Sequence, residues 1–290
     1  MKIIHKLKYV ATLPISFILS KKYATPTVLS DRETVQYILQ KGCSVIRFGD
    51  GELNLMKGIG IKFQKFDGTL RRRLQEIAMS NQTERALICI PNIFATLDAF
   101  TKESGDWWKK YVRCTRGYWY KMFRNGPYGD TNVTRFYVEN KDKDRDEYVK
   151  QLKEIWREKR VLIVEGAKSR LGMGNDLFSN TADIKRLICP SADAFKVYPQ
   201  ILEETKQKIG TGHYDLMICA LGPTATVLCY DTASEIQSLD LGHVDIEYEW
   251  YLRKAQSKQA ICNKSVTEVE DGCGDDVDYT YREQIIGVIK

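Results

Sequence analysis

Two carboxylates separated by one glycine carry the clearest chemical signal, in the run Arg47-Phe48-Gly49-Asp50-Gly51-Glu52. Neighbouring carboxylates repel unless a cation or a shared proton relieves them. Glycine on either side of Asp50 removes bulk and lets the backbone bend toward a ligand. A hard divalent ion, Mn²⁺ or Mg²⁺, takes oxygen ligands of this kind and can bridge a diphosphate. The same run also suits a solvated turn opening a helix, with Asp50 as the cap and Glu52 in the first turn. It is not a dinucleotide fingerprint, because no third glycine falls in register.

Three further segments could do chemistry. In Glu165-Gly166-Ala167-Lys168-Ser169-Arg170-Leu171-Gly172-Met173-Gly174-Asn175-Asp176, glycines let backbone N–H groups converge on a phosphate. Arg170 would add a bidentate phosphate contact, and Asn175 and Asp176 would bond a ribose or base. The alternative is a flexible surface loop. Gly222-Pro223-Thr224-Ala225-Thr226 opens a helix, whose N-terminus attracts anions, with hydroxyl donors from Thr224 and Thr226. Capping by Thr224 explains that run as well. Gly242-His243-Val244-Asp245-Ile246-Glu247-Tyr248-Glu249-Trp250 gathers three acids and one of only three histidines. On a helix Asp245 and Glu249 share a face, and either would serve as a general base. Solvated acids beside a packing or capping histidine read equally well there.

The elements that must position these residues alternate between apolar runs and helical patterns, an α/β signature. Strands are expected at Ser44–Phe48, Ala86–Ile90, Val161–Glu165, Leu187–Cys189, Tyr214–Leu221 and Ser238–Leu241. Helices are expected from Ser30/Asp31 to about Gln40 and over Leu70–Met79, Glu147–Arg157, Ala194–Ile209 and Pro223–Ile236, with another from near Asp245. The predicted fold is a Rossmann-like, mostly parallel sheet flanked by helices. Ligands of such sheets sit beyond the carboxyl ends of the strands. The loops Gly49–Glu52, Gly166–Asp176 and Gly222–Thr226 all fall there. Trp107–Tyr137, dense in aromatic and basic residues, interrupts the rhythm as a helical insertion. It suits a packed subdomain, a sugar-stacking surface or a lipid-headgroup contact.

Bulk properties bound the answer. With 290 residues, 43% hydrophobic and 28% charged, the chain is an ordinary globular sequence. A net charge of +6 fits an anionic small substrate or a phosphate-bearing lipid surface and is no nucleic-acid signature. The eight cysteines include no Cys-x-x-Cys pair and no zinc spacing. Cys89, Cys189, Cys219 and Cys229 lie in apolar runs, a usage that suits a reducing, cytoplasmic setting. Residues 1–30 form a basic, apolar extension ahead of one domain at 31–290. Its apolar stretch is too short to span a bilayer and is interrupted by Pro14. Lys2, Lys6, Lys8, Lys21 and Lys22 flank apolar side chains, so a peripheral contact at the inner face of the plasma membrane is one reading. Packing on the protein itself or on a second subunit of a homo-oligomer is the other.

Taken together, four blocks resemble the bacterial glycosyltransferases of the GT-D fold, a family first catalogued as a domain of unknown function. They are Arg47 to Glu52; Glu165-Gly166 with Ser169-Arg170 and Gly174 to Phe178; Ala220 to Leu228; and Gly242-His243 through Trp250. The likeness runs from about Val35 to the C-terminus. It implies transfer of a hexose from a UDP-sugar to a growing glycan, lipid-linked or protein-attached. The family's Asp-x-Glu metal motif falls on Asp50 and Glu52. Donor contacts are expected from Arg47, Gly49, Gly51, Arg170, Gly174, Asn175, Asp176, Gly222, Thr224, Thr226 and His243. Arg135 joins them through Asp130–Tyr137, where the family's usual Arg-Pro-Tyr reads Arg135-Phe136-Tyr137. The expected reaction is a single displacement, with Asp245 or Glu249 deprotonating the acceptor. Two other readings suit parts of the pattern: a Rossmann-like methyltransferase and a non-catalytic nucleotide- or glycan-binding module.

Overall fold

The computed structural model describes residues 13–265, 269 and 274–290. The expectations for Met1–Thr12 and Cys273 lie outside them. Eight strands form one sheet: β1 (Ser44–Arg47), β2 (Ala86–Ile90), β3 (Gly129–Asp130), β4 (Arg160–Gly166), β5 (Asp183–Cys189), β6 (Leu216–Ala220), β7 (Gln237–Asp240) and β8 (Ile285–Val288). Their order is β3-β2-β1-β7-β6-β4-β5-β8, and every neighbouring pair is parallel. The helices are α1 (residues 13–22), α2 (Asp31–Lys41), α3 (Asp50–Met56), α4 (Gly68–Met79), α5 (Lys102–Met122), α6 (Asp146–Glu154), α7 (Tyr198–Gly212), α8 (Pro223–Thr232), α9 (Val244–Leu252) and α10 (Tyr279–Glu283).

The central strands are buried on both faces, as a parallel sheet requires. Successive residues of β4 alternate between two cores. Leu162 and Val164 pack with the α4, α5 and α8 side, while Val161 and Ile163 pack with Trp156, Tyr148 and Trp250. Chain ends of the elements are set locally. Ser30 accepts the Glu33 N–H, and the Glu33 carboxylate accepts the Ser30 N–H, a reciprocal cap that starts α2 where expected. Gly42, with φ 59°, then closes it in the left-handed conformation. Pro223 stands in the first turn of α8, as anticipated.

The differences from expectation have physical reasons. β5 begins four residues earlier than Leu187, because the charged side chains Asp183, Lys185 and Arg186 disguise a paired strand. α8 stops at Thr232 and not near Ile236. The rhythm-breaking segment opens as one 21-residue helix, α5, whose Trp108, Trp119 and Tyr120 join the core. Helix α10 and strand β8 went unforeseen. Among the described residues no helix is long and apolar enough to cross a membrane.

Helix α1 lies against α5 at a glycine. The Gly117 N–H donates to Ser16 Oγ at 3.1 Å, and a Cβ on Gly117 would fall 2.1 Å from the Ser16 carbonyl oxygen. Gly117→Ala is therefore expected to push α1 off α5 and cost about 1–3 kcal/mol, the usual range for overpacking. Urea unfolding with hydrogen exchange over residues 13–22 reads both effects. Unaltered stability and protection would show the contact to be slack.

Connections position the site. From β4 the chain steps to β5 on one side, and from β6 it steps to β7 on the other. A crevice opens where neighbouring strands send their chains in opposite directions, at their carboxyl ends.

Candidate functional site

A cleft of about 400 Å³ occupies that crevice. The ends of β1, β3, β4, β5, β6 and β7 all contribute to its wall. Gly49, Asp50, Gly51 and Glu52 follow β1; Thr131 follows β3; Lys168 and Ser169 follow β4; Gly222 follows β6; Asp240 and His243 belong to the end of β7. The loop Gly49–Glu52 and the turn at Gly222, about 170 residues apart in sequence, therefore meet at one place.

Asp50 is exposed and occupies the first position of α3. Glu52 is partly buried, and its Oε2 accepts the Gly49 N–H at 2.7 Å. The capping alternative is thus realised by Glu52 and not by Asp50. Capping does not exhaust its chemistry. Burial pushes the Glu52 carboxyl up to about 7, and the negative charges of Asp240 and Asp50 push in the same direction. A carboxyl raised by like charge is one that a cation would restore to its ionised form. Among the described residues no three His, Cys, Asp or Glu side chains form a ready-made metal cluster. Two carboxylates with open space before them fit Mg²⁺ or Mn²⁺ nonetheless, because such ions commonly keep water and substrate phosphate for their other positions.

Arg47 reaches the cleft wall but spends its guanidinium on the protein. Nε donates to the Asp240 carbonyl at 2.7 Å, Nη2 to Asp240 Oδ1 at 3.2 Å and to the Gly242 carbonyl at 3.0 Å. Nη1 donates to the Thr131 carbonyl and to Thr134 Oγ1. It positions three strand ends and leaves no N–H pointed at a ligand. Asp240 is buried and its carboxyl is raised by that burial, with Arg47 opposing. Arg135 and His243 meet at the cleft wall, with Arg135 Nη2 3.3 Å from His243 Nε2. His243 holds φ 76° at the start of α9.

The glycine-rich loop only partly does what its composition promised. Gly166, Lys168, Ser169 and Leu171 line the cleft, whereas Arg170, Gly174, Asn175 and Asp176 do not. Arg170 is buried and turned away: Nη1 donates to the Asn263 carbonyl at 2.7 Å and Nη2 to Asp275 Oδ1 at 2.6 Å. Asp176 accepts from Tyr248 and Lys153 outside the cleft. Gly174 sits in open space at φ 77°. Thr224 and Thr226 are buried within α8, and Thr226 Oγ1 donates to the Arg47 carbonyl at 3.0 Å. The end of α8 is presented by Gly222 alone, whose φ of 54° and closeness to Phe63 leave no room for a side chain.

The two acids expected to act as a base are tied together. Asp245 lines the cleft, and Glu249 does not. Asp245 Oδ1 accepts from the Gly172 N–H at 2.9 Å and Asn175 Nδ2 at 2.8 Å; Oδ2 accepts from Lys264 Nζ at 2.6 Å. Glu249 accepts from Asn175, Lys264 and Arg253, and its carboxyl lies below the usual range: burial opposes this, and Asn175 and Lys264 outweigh it. A carboxylate held below its usual range, as that of Glu249 is, makes a poor proton acceptor. The placement of the two acids makes them anchors for the glycine loop and for Ser265, which lines the cleft. Sequence reasoning left out Asp240, Lys168, Ser169, Trp108 and Thr131. Asp240 could have been found by applying the strand-end rule to β7, whereas Thr131 follows β3, a two-residue strand that went unforeseen.

The comparisons with known proteins bear on this cleft. A family model described as "Glycosyltransferase GT-D fold" matches residues 45–269, the stretch that contains β1 through β7. The chain belongs to the GT-D glycosyltransferase family. A solved structure of a domain of unknown function, described as having a distinct glycosyltransferase fold, is 38% identical with a TM-score of 0.88. The match covers 95% of this chain and all of that one. A second, described as a new glycosyltransferase from Streptococcus sanguinis, is 35% identical with a TM-score of 0.87, covering 91% of this chain and all of that one. A probable glycosyl transferase from Streptococcus gordonii is 39% identical over 246 residues, 83% of this chain and 35% of the relative. The glycosyltransferase GlyD of Streptococcus pneumoniae serotype 4 (strain ATCC BAA-334 / TIGR4) is 36% identical over 263 residues, 89% of this chain and 32% of the relative. This GT-D chain therefore spans about a third of the length of those curated relatives. Membership of a glycosyltransferase family argues against the methyl-transfer reading.

Proposed function

We propose that the chain moves a hexose, with glucose the first to test, from a UDP-sugar to a growing glycan of a cell-surface polysaccharide or glycoprotein, using Mn²⁺ or Mg²⁺. The observation that carries this is the Asp50–Glu52 pair lining the cleft at the end of β1, where burial, and after it the charges of Asp240 and Asp50, raise the Glu52 carboxyl. A cation bound there would neutralise the diphosphate as it leaves. The chain's own contribution is placement. Arg135 and Lys168 bring positive charge to the wall of the cleft. The N-terminus of α8 meets it through Gly222, where backbone N–H groups favour an anion. Arg47 fixes the relative positions of β1, β7 and the turn after β3, so that these groups face one volume.

Binding has a calculable pH dependence. The Glu52 carboxyl is raised in the folded protein, so the stability it confers is full below its ordinary value of 4.5 and is lost as pH rises through about 7. A cation offsets that loss only once Glu52 has given up its proton. The rise in melting temperature on adding Mn²⁺ should therefore grow between pH 6 and pH 8. Apparent affinity should fall about tenfold per pH unit below 7. A Mn²⁺ effect independent of pH across that window would remove Glu52 from the site. Calorimetry of UDP with Mn²⁺ tests the donor assignment. Tight UDP binding with no hydrolysis or transfer would support a non-catalytic binding module instead.

A further inference from the structure

Helix α5 borders a second cavity, of about 490 Å³, whose lining shares no residue with the cleft. Its floor is apolar, formed by Ile93, Phe94, Leu97 and Val112 among others. Its rim carries Lys102, Lys109, Arg113 and Lys141 against one acid, Asp106. Among the described residues none of these four cations has an ion-pair partner. Such a rim is complementary to an anionic group bearing an apolar tail.

The cavity continues into α1. Residues 102, 106, 109 and 113 recur along one stripe of α5, and the same helical spacing leads on to Gly117 and Arg124. Those two positions meet α1 and the residue after it: Gly117 bonds Ser16, and the Arg124 guanidinium lies 5.5 Å from the centre of the Tyr23 ring. Both contacts join residues 101 positions apart, so α1 runs beside α5 in the same direction. Cavity and α1 thus occupy successive halves of one face. On the outer side of α1, Ile15, Phe17 and Ile18 are 50%, 50% and 64% exposed. Lys21 and Lys22 are exposed beside them, and Lys21 Nζ lies over the Phe17 ring. Trp107 of α5 is also exposed. An apolar strip edged by unpaired cations and an aromatic is the composition of a helix that lies in a lipid interface. The first twelve residues carry Lys2, Lys6 and Lys8 and no acid, so like charge argues against them as occupants of the cavity.

We propose that this face docks on an anionic lipid surface. Ile15, Phe17 and Ile18 enter the acyl boundary, and the cations around the cavity meet headgroup phosphates. The inference is independent of the sugar-transfer reading, since none of these residues lines the transfer cleft. The test is co-sedimentation of the full chain with phosphatidylcholine vesicles with and without phosphatidylglycerol. Binding is expected only to the anionic vesicles, with loss in about 1 M salt. Phe17→Ser with Ile18→Ser, and Lys109→Glu with Arg113→Glu, should each weaken it at least about tenfold. Thermal melts and UDP-sugar hydrolysis in lipid-free solution should stay as in the native chain, which separates lost docking from lost folding. Equal binding to neutral vesicles, or variants that bind as well as the native chain, would overturn the proposal. So would a native chain that ignores vesicles and forms a dimer that these substitutions dissociate, because the face would then belong to a second copy.

Discussion

Glu52→Gln is expected to lower the rate of sugar transfer by about 10²–10³, the usual loss when one group stabilising a developing charge is removed, while leaving the fold intact. Glutamine keeps an oxygen able to accept the Gly49 N–H, so the cap on α3 survives. Only the negative charge goes. Asp50→Asn should act comparably and for the same reason, since Asp50 is exposed at the first position of α3 and asparagine keeps its size while removing the charge. The pairing of a conserved melt with a lost rate distinguishes metal binding from mere capping. Steady-state transfer at saturating Mn²⁺ and a thermal melt on the same preparations decide it. Full activity in either variant would make that carboxylate a structural residue.

Arg186→Met should destabilise the fold by about 3–5 kcal/mol. Glu165 is fully buried. Its Oε1 accepts from Arg186 Nη1 at 2.5 Å and from the Tyr281 hydroxyl at 2.9 Å, and its Oε2 accepts the Leu171 N–H at 2.8 Å. Arg186 also donates to the Leu171 carbonyl and to Gln284. Removing the guanidinium leaves a buried carboxylate without a counter-charge. Burial already raises the Glu165 carboxyl in the presence of Arg186, and the loss of Arg186 raises it further. A raised carboxyl favours the folded state at low pH and costs stability as pH climbs through its folded value. The variant's deficit should therefore be larger at pH 8 than at pH 5. Glu165→Leu combined with Arg186→Met should recover much of the loss. Transfer should fall in the single variant too, because Leu171 ties this network to the loop that carries Lys168 and Ser169. Urea unfolding at the two pH values is the check, and a deficit below about 1 kcal/mol would show that water reaches Glu165.

How much of this could be read beforehand depended on whether local sequence determined direction. The strand ends were readable: an apolar run stopping at Gly49, Gly166 or Gly222 has one reasonable meaning in a parallel sheet. The aromatic density of α5 left packing, sugar stacking and a lipid contact open; Trp108 and Trp119 are core residues, while Trp107 is exposed. Side-chain aim was not readable. Arg170 reads as a phosphate ligand until Asn263 and Asp275, about a hundred residues downstream, claim its guanidinium. Asp245 and Glu249 share a helical face as the spacing required, but that Lys264 and Asn175 bond both of them could not be read locally. Thr224 and Thr226 were placed at a helix start correctly, but α8 is buried on nearly all sides, so its hydroxyls face protein. Each misreading reflects a tertiary partner that no local pattern announces.

The most direct test of the central claim is a panel of UDP-hexoses scored for UDP release with and without Mn²⁺, using the full chain and a glycan acceptor. The proposed function predicts release from at least one UDP-hexose, dependence on the metal, and incorporation of that sugar into the acceptor. Sugar transfer that proceeds at the same rate with the divalent ion chelated would contradict it.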